Sequence, residues 1–284
     1  MKNYFKATLL LTVLSILSSC SKKEGCTDPT ALNYDANAEK DNGTCVYKTP
    51  EVPVATSGKL TFKFVHHFDG ISVSHTDVHV PAFSFINAFG DTLSLTKLMY
   101  LVSDVRLMKS NGDSVLIEGY KLVDLGDETT QTWETTLDVP FDNYTSIRFN
   151  FGFDSTDNVS NIYTDLNSAS WNWPTSIGGG YHFMMMEGKY KFQGNDSTYA
   201  YHMGTAHDMM TMTNVQNYFV ADLGAISITN NATIQFKMDI SEWYKNPYTW
   251  SLNDYHSGLM MNYTAQRNMQ SNGVGVFSLG TVVQ

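Results

Sequence analysis

Residues Trp171 to His207 read WNWPTSIGGGYHFMMMEGKYKFQGNDSTYAYHMGTAH. Two tryptophans flank one residue, and Pro174 and three glycines follow them. From Gly180 to Glu187 the chain reads as a strand. Alternation puts His182, Met184 and Met186 on one face and Tyr181, Phe183 and Met185 on the other. A second short strand, Tyr199 to Met203, sets His202 on the face opposite Tyr201 and Met203. The connection from Gly188 to Ser197 carries turn chemistry at Gln193-Gly194-Asn195-Asp196. If the two strands pair as a hairpin, His182 and His202 come within coordination distance of each other. Trp171 and Trp173 share a face if their segment is extended.

The surrounding chain repeats the same kind of reading. Lys59 to His66 alternates, with Leu60, Phe62, Phe64 and His66 on one face. Leu98 to Lys109 is long and apolar, and Asn111-Gly112-Asp113 turns it into Ser114 to Ile117, a strong hairpin cue. Pro81 to Asn87, Tyr120 to Asp124, Thr145 to Phe153, Asn217 to Leu223, Ala232 to Asp239 and Val274 to Leu279 complete the strands. Single helical turns are expected at Ile240 to Tyr244 and Tyr263 to Asn268. Turns recur about every ten residues, which predicts an all-β domain over residues 59–284, a two-sheet antiparallel β-sandwich.

Upstream of that domain the chain has a different character. Lys2 and Lys6 precede a short apolar run, Ala7 to Leu17, and then Leu17-Ser18-Ser19-Cys20. The run is too short to cross a bilayer, so residues 1–19 read as a signal peptide. Leu-Ser-Ser-Cys fits the bacterial lipobox, which makes Cys20 the lipidated residue and the membrane a partner through that anchor. Cys26 and Cys45 remain, and an even pair in an oxidising compartment is expected to form a disulfide. They close residues 20–48 into a small module, GCTDPTALNYDANAEKDNGTCVY at its centre, which resembles a repeat unit of secreted bacterial proteins. Its Asp28, Asn33, Asp35, Asn37 and Asp41 are hard oxygen ligands suited to Ca²⁺, or alternatively a set of Asx turns. Residues 49–58, with two prolines and no periodicity, read as a linker.

Net charge is -10, and only 16% of residues are charged. That balance argues against nucleic acid, which needs a basic face. The chain lacks a G-x-S-x-G elbow, an H-E-x-x-H pair, a phosphate loop and a Rossmann fingerprint, so no enzyme is expected. Glu187, Asp154 and Asp165 are the candidates for a glycosidase carboxylate pair, should one exist. Imidazole and thioether are ligands that soft copper prefers, while the thiolates of structural zinc sites are absent from the domain. His182 and His202 are therefore the first candidate metal ligands, with His66, His67 and His207 as further ones. His75, His79 and His256 read as surface residues, and the remaining methionines as adaptable fillers. Asp154, Asp157 and Asn158 lie in a polar loop, FDSTDN, as a second candidate Ca²⁺ site near Asp165. The competing function is adhesion or glycan binding, for which 16 Phe, 16 Tyr and 5 Trp offer stacking surfaces.

A family resemblance is carried by several segments in order: HHFDG, NAFGDTLSLTKLMYLVSDVRL, YKLVDL, IRFNFGFDSTDN, WNWP, GGGYHFMMMEG, YHMG and VGVFSLG. Over most of residues 59–284 the chain resembles the MbnP-like family of exported bacterial β-sandwich proteins. The resemblance implies copper held by His side chains and by a tryptophan oxidised to kynurenine, here Trp171 or Trp173. It also implies a di-haem peroxidase-like partner that performs the oxidation. Relatives commonly carry an aliphatic residue after the Gly-Tyr pair, whereas here His182 follows Tyr181.

Overall fold

Met184–Phe192 pairs antiparallel with Asn195–Met203 over nine residue pairs. The expected ten-residue connection is a two-residue turn, because Gln193 and Gly194 adopt φ 51° and 81° and so match the twist of the flanking strands. This hairpin belongs to an eight-stranded sheet. Its central strand, Lys97–Met108, pairs with Ser114–Asp124, Ser146–Phe151 and Met184–Phe192. Ser114–Asp124 runs through what reads in sequence as two strands. A bulge lets it do so: the register shifts between Ser103 and Val105, where Asp104 takes φ 52°.

A five-stranded sheet covers this one. Its strands Leu60–Phe68, Ala232–Asp239 and Phe277–Val283 present Phe62, Phe64, Phe236 and Phe277 inward, all buried. Phe236 stacks on Phe149 of the facing sheet at 5.2 Å, and Phe277 meets Phe151 at 5.6 Å. Aromatic pairs of this kind add about 0.5–1.5 kcal/mol beyond their burial. The two-sheet sandwich is therefore as expected, with one parallel ladder, Leu60–Phe68 on Ala232–Asp239, among the antiparallel ones.

The structure is a computed structural model that describes residues 22–48 and 55–284; the signal-peptide segment, Cys20 and most of the linker lie outside the described residues. Two compact units divide between Val54 and Ala55. Ser57–Gly58, assigned to the linker by composition, is already a strand and pairs with Val139–Pro140. Among the described residues no helix is long and apolar enough to cross a membrane.

In the first unit Cys26 and Cys45 form the expected disulfide. The acidic groups of this unit are engaged in turns. Asp28 accepts from the Thr30 amide and hydroxyl and from the Tyr47 hydroxyl. Asp35 accepts from the Asn37 amide and pairs with Lys23, Asp41 accepts from the Gly43 amide, and Asn33 bonds Val46 and Thr44. These are Asx turns, the alternative reading of the same residues.

In the second unit the expected single turn at Tyr263 is an eleven-residue helix, Tyr263–Gly273. Asn262 caps it by accepting from the Ala265 amide at 3.0 Å. Its buried face includes Gln266 and Asn272, both fully enclosed. The Gln266 amide donates to the carbonyls of His202 and Leu259, and Asn272 donates to those of Trp243 and Tyr248.

Candidate metal centre

Trp171–Trp173 lies antiparallel to Gly180–His182. Trp173 N donates to Gly180 O and His182 N to Trp171 O, both at 2.9 Å, with Asn172 opposite Tyr181 between them. Residues directly opposite in such a ladder point to the same face and alternate along it. Trp171, Trp173 and His182 therefore share one face. The turn that closes this ladder needs the three glycines, since Gly178, Gly179 and Gly180 take φ 116°, 66° and 83° in succession. Asn158, read in sequence as a loop residue, clamps the turn: its Oδ1 accepts from Tyr181 N at 2.9 Å and its Nδ2 donates to Thr205 Oγ1.

Both indoles lie against the His182 ring, with centroids 5.5 Å away for Trp171 and 4.9 Å for Trp173. They differ in one respect. Trp173 Nε1 donates to Ile177 O at 3.2 Å, and Gly204 lies so close that a Cβ there would sit 2.5 Å from the ring. Trp173 thus anchors the turn onto the sandwich. Trp171 is equally buried, but its Nε1 has no hydrogen-bond partner, which costs about 1–3 kcal/mol.

The His182 and His202 rings meet edge to face, centroids 5.5 Å apart, a gap that two metal–nitrogen bonds of about 2 Å can bridge. His182 Nδ1 lies 3.1 Å from Trp171 O. A carbonyl only accepts, so Nδ1 carries the proton and Nε2 keeps its lone pair. His202 is the reverse: Nε2 donates to Glu187 Oε1 at 2.9 Å, which leaves the lone pair on Nδ1. Glu187 Oε1 is also 3.3 Å from Lys97 Nζ. Burial lowers the pKa of His182 to about 4 and, against the pull of Glu187, lowers that of His202 as well. Both rings are neutral at pH 7 and ready to coordinate.

The methionine faces differ from expectation. Met184 and Met186 are fully buried, whereas Met185 stands directly opposite His202 and is half-buried. His182 also meets His202, so the alternation slips by one residue between His182 and the start of the regular strand at Met184. Met185 is the thioether on the imidazole side.

His66 is placed elsewhere. It is buried among core aromatics with Nε2 3.0 Å from the Tyr100 hydroxyl, and burial lowers its pKa to about 3. His67 sits on the other side of that strand. His207 is buried on Ala206–Asp208, with Nδ1 2.7 Å from Asn214 Oδ1. His75 pairs with Glu128, His79 faces Gly126 O and His256 packs on Tyr190. Among the described residues, the one trio of His, Cys, Asp or Glu with ligand atoms within 4.8 Å of one another is Asp104, Asp154 and Asp157. Burial raises the pKa of Asp104 and Asp157, with mutual repulsion adding to it. Asp165 instead accepts from Tyr120. Trp171, Trp173, Trp243 and Trp250 are all buried, which removes them as stacking surfaces for sugars.

A family model, MbnP, matches residues 57–262. The chain belongs to the MbnP family. A solved structure, MbnP from Methylosinus trichosporium, is similar with 14% identity and a TM-score of 0.47, covering 67% of this chain and 78% of that one. A curated protein, ribulose bisphosphate carboxylase/oxygenase activase 1 of Larrea tridentata, is 68% identical over 25 residues. That match spans 9% of this chain and 5% of the activase. Membership in the MbnP family associates the chain with copper.

Proposed function

We propose that this MbnP-family chain is a cell-envelope lipoprotein that captures or carries copper and does not turn over a substrate. His182 Nε2 and His202 Nδ1 are the first two ligands, and the thioether of Met185, which stands opposite His202 in the hairpin, is the soft third. The observation that carries this reading is the complementary engagement of the two rings, one held at Nδ1 and the other at Nε2. Two neutral imidazoles and a thioether suit Cu(I) better than Zn²⁺ or Ca²⁺. Trp171, with its unpartnered N–H beside His182, is the indole to be oxidised to kynurenine, and a di-haem peroxidase-like protein is the partner that does it. Trp173, tied to Ile177, stays intact as the anchor.

Elemental analysis of the purified protein tests the reading: copper near one equivalent is expected, and a metal-free protein retained on a glycan array would replace it with adhesion. Co-expression with the haem partner should add mass at Trp171 and not at Trp173. The anchor has its own test. Cys20→Ala should move the protein out of the membrane fraction, and unchanged fractionation would remove the lipid from the account.

A further inference from the structure

Methionine is normally a buried residue, and among the described residues most methionines are buried or half-buried. Four of the described ones are not. Met209, Met210, Met212 and Met261 are 54%, 95%, 71% and 60% exposed. They come from two segments far apart in sequence: the hairpin loop between Ala206–Asp208 and Thr213–Val215, and the short helix Leu259–Met261. The fold brings these segments together around one open hollow of ≈ 480 Å³, lined by Met209, Met210, Met261 and Asp208 among others. Met212, on the same loop, does not line it.

The loop that carries the thioethers is fixed. Asp208 accepts from the Met210 amide at 2.8 Å and from the Thr211 hydroxyl at 2.9 Å, and the Thr211 and Thr213 hydroxyls meet at 2.7 Å. The second wall is equally held: Gln266 donates to Leu259 O from the helix that follows. Exposing three methionines on two rigid segments wins no packing. It does present three neutral, polarisable donors, each with three rotatable bonds to adapt its reach, beside one carboxylate. Thioethers bind soft monovalent d¹⁰ ions and discriminate against Zn²⁺, Ca²⁺ and Mg²⁺.

We propose that Met209, Met210 and Met261 form a surface site for Cu(I), separate from the His182–His202 pair. It is a weaker, entry-type site, since neutral thioethers in open water hold the ion without a buried imidazole. Gln266 bonds both His202 O and Leu259 O, so the two sites share one rigid support. The proposal stands on the hollow alone and does not depend on metal binding by the histidines.

The probe is Ag(I), which has the same d¹⁰ chemistry and no redox cycle, added to the whole chain labelled at its methionine methyl groups. The methyl resonances of Met209, Met210 and Met261 should shift together and saturate near one equivalent. The same saturation should appear in the His182→Ala/His202→Ala double variant, which separates this site from the imidazole pair. Zn²⁺ should move none of them. A Met209→Leu/Met210→Leu/Met261→Leu variant, nearly volume-conserving and on the surface, should take up about one equivalent less Ag(I) in equilibrium dialysis and melt as the parent does; undiminished uptake would overturn the proposal. A response shared with Met212, or no saturable response at millimolar Ag(I), would overturn the proposal; the latter would leave the patch an apolar docking surface for a protein.

Discussion

His182 and His202 face each other edge to face at 5.5 Å and are held by opposite ring nitrogens, His182 through a backbone carbonyl and His202 through Glu187. Each hydrogen bond settles a tautomer, and each tautomer leaves one lone pair. In this arrangement Glu187 is a positioning residue: it fixes the tautomer of His202.

Glu187→Ala should therefore release the His202 tautomer. The ring ¹⁵N shifts of His202 in the metal-free protein should change from the form protonated at Nε2 to a mixture, while those of His182 stay as they are. Loss of such an outer partner typically costs about 10–100-fold in metal affinity. Unaltered His202 shifts in the variant would remove Glu187 from this role.

The two tryptophans should respond to substitution to different extents. Trp173→Phe strands the Ile177 carbonyl in a buried site and should destabilise by about 1–3 kcal/mol beyond the lost ring volume. Trp171→Phe removes a donor that already has no partner, so the relief of its desolvation offsets the lost packing. Urea midpoints should fall clearly for Trp173→Phe and little for Trp171→Phe. Equal losses would contradict the assignment of Trp173 as anchor.

His66 predicts an acid limit to stability. Its pKa is lowered from 6.5 to about 3 by burial, so the fold holds it neutral. The sign follows from linkage: the stabilisation is fully present above pH 6.5 and is lost as pH falls toward 3, where the unfolded chain takes up the proton and the folded one resists it. His66→Gln should flatten that part of the stability profile measured by urea unfolding at successive pH values. A profile as steep as that of the parent would place the acid sensitivity in other groups.

The hairpin and sandwich were legible because period-two alternation with Asn-Gly and Gln-Gly turns is a local signal. The make-up of the hairpin's imidazole face was not. Alternation from Gly180 put Met184 and Met186 beside His182, and the slip at Phe183 put Met185 there, a shift that no spacing encodes. The helix Tyr263–Gly273 was nearly invisible because its inward face is built partly of Gln266 and Asn272, whose amides satisfy buried carbonyls in place of apolar contacts. His66 looked like a ligand because sequence shows a histidine at a strand end but not the Tyr100 hydroxyl waiting across the core. The Asx turns of the small unit and a Ca²⁺ loop use the same residues, so the sequence leaves both readings open. The linker ended early for a simpler reason: Ser57–Gly58 pairs with residues eighty positions further along, which composition cannot report.

The most direct test is a Cu(I) competition titration with a chelator strong enough to hold the ion against the surface methionines. The parent protein should take one equivalent. His182→Ala and His202→Ala should each lose at least tenfold in affinity, about 1.4 kcal/mol, with far-ultraviolet circular dichroism unchanged, and His75→Ala should match the parent. Copper binding of undiminished affinity in the His182→Ala/His202→Ala double variant would contradict the account.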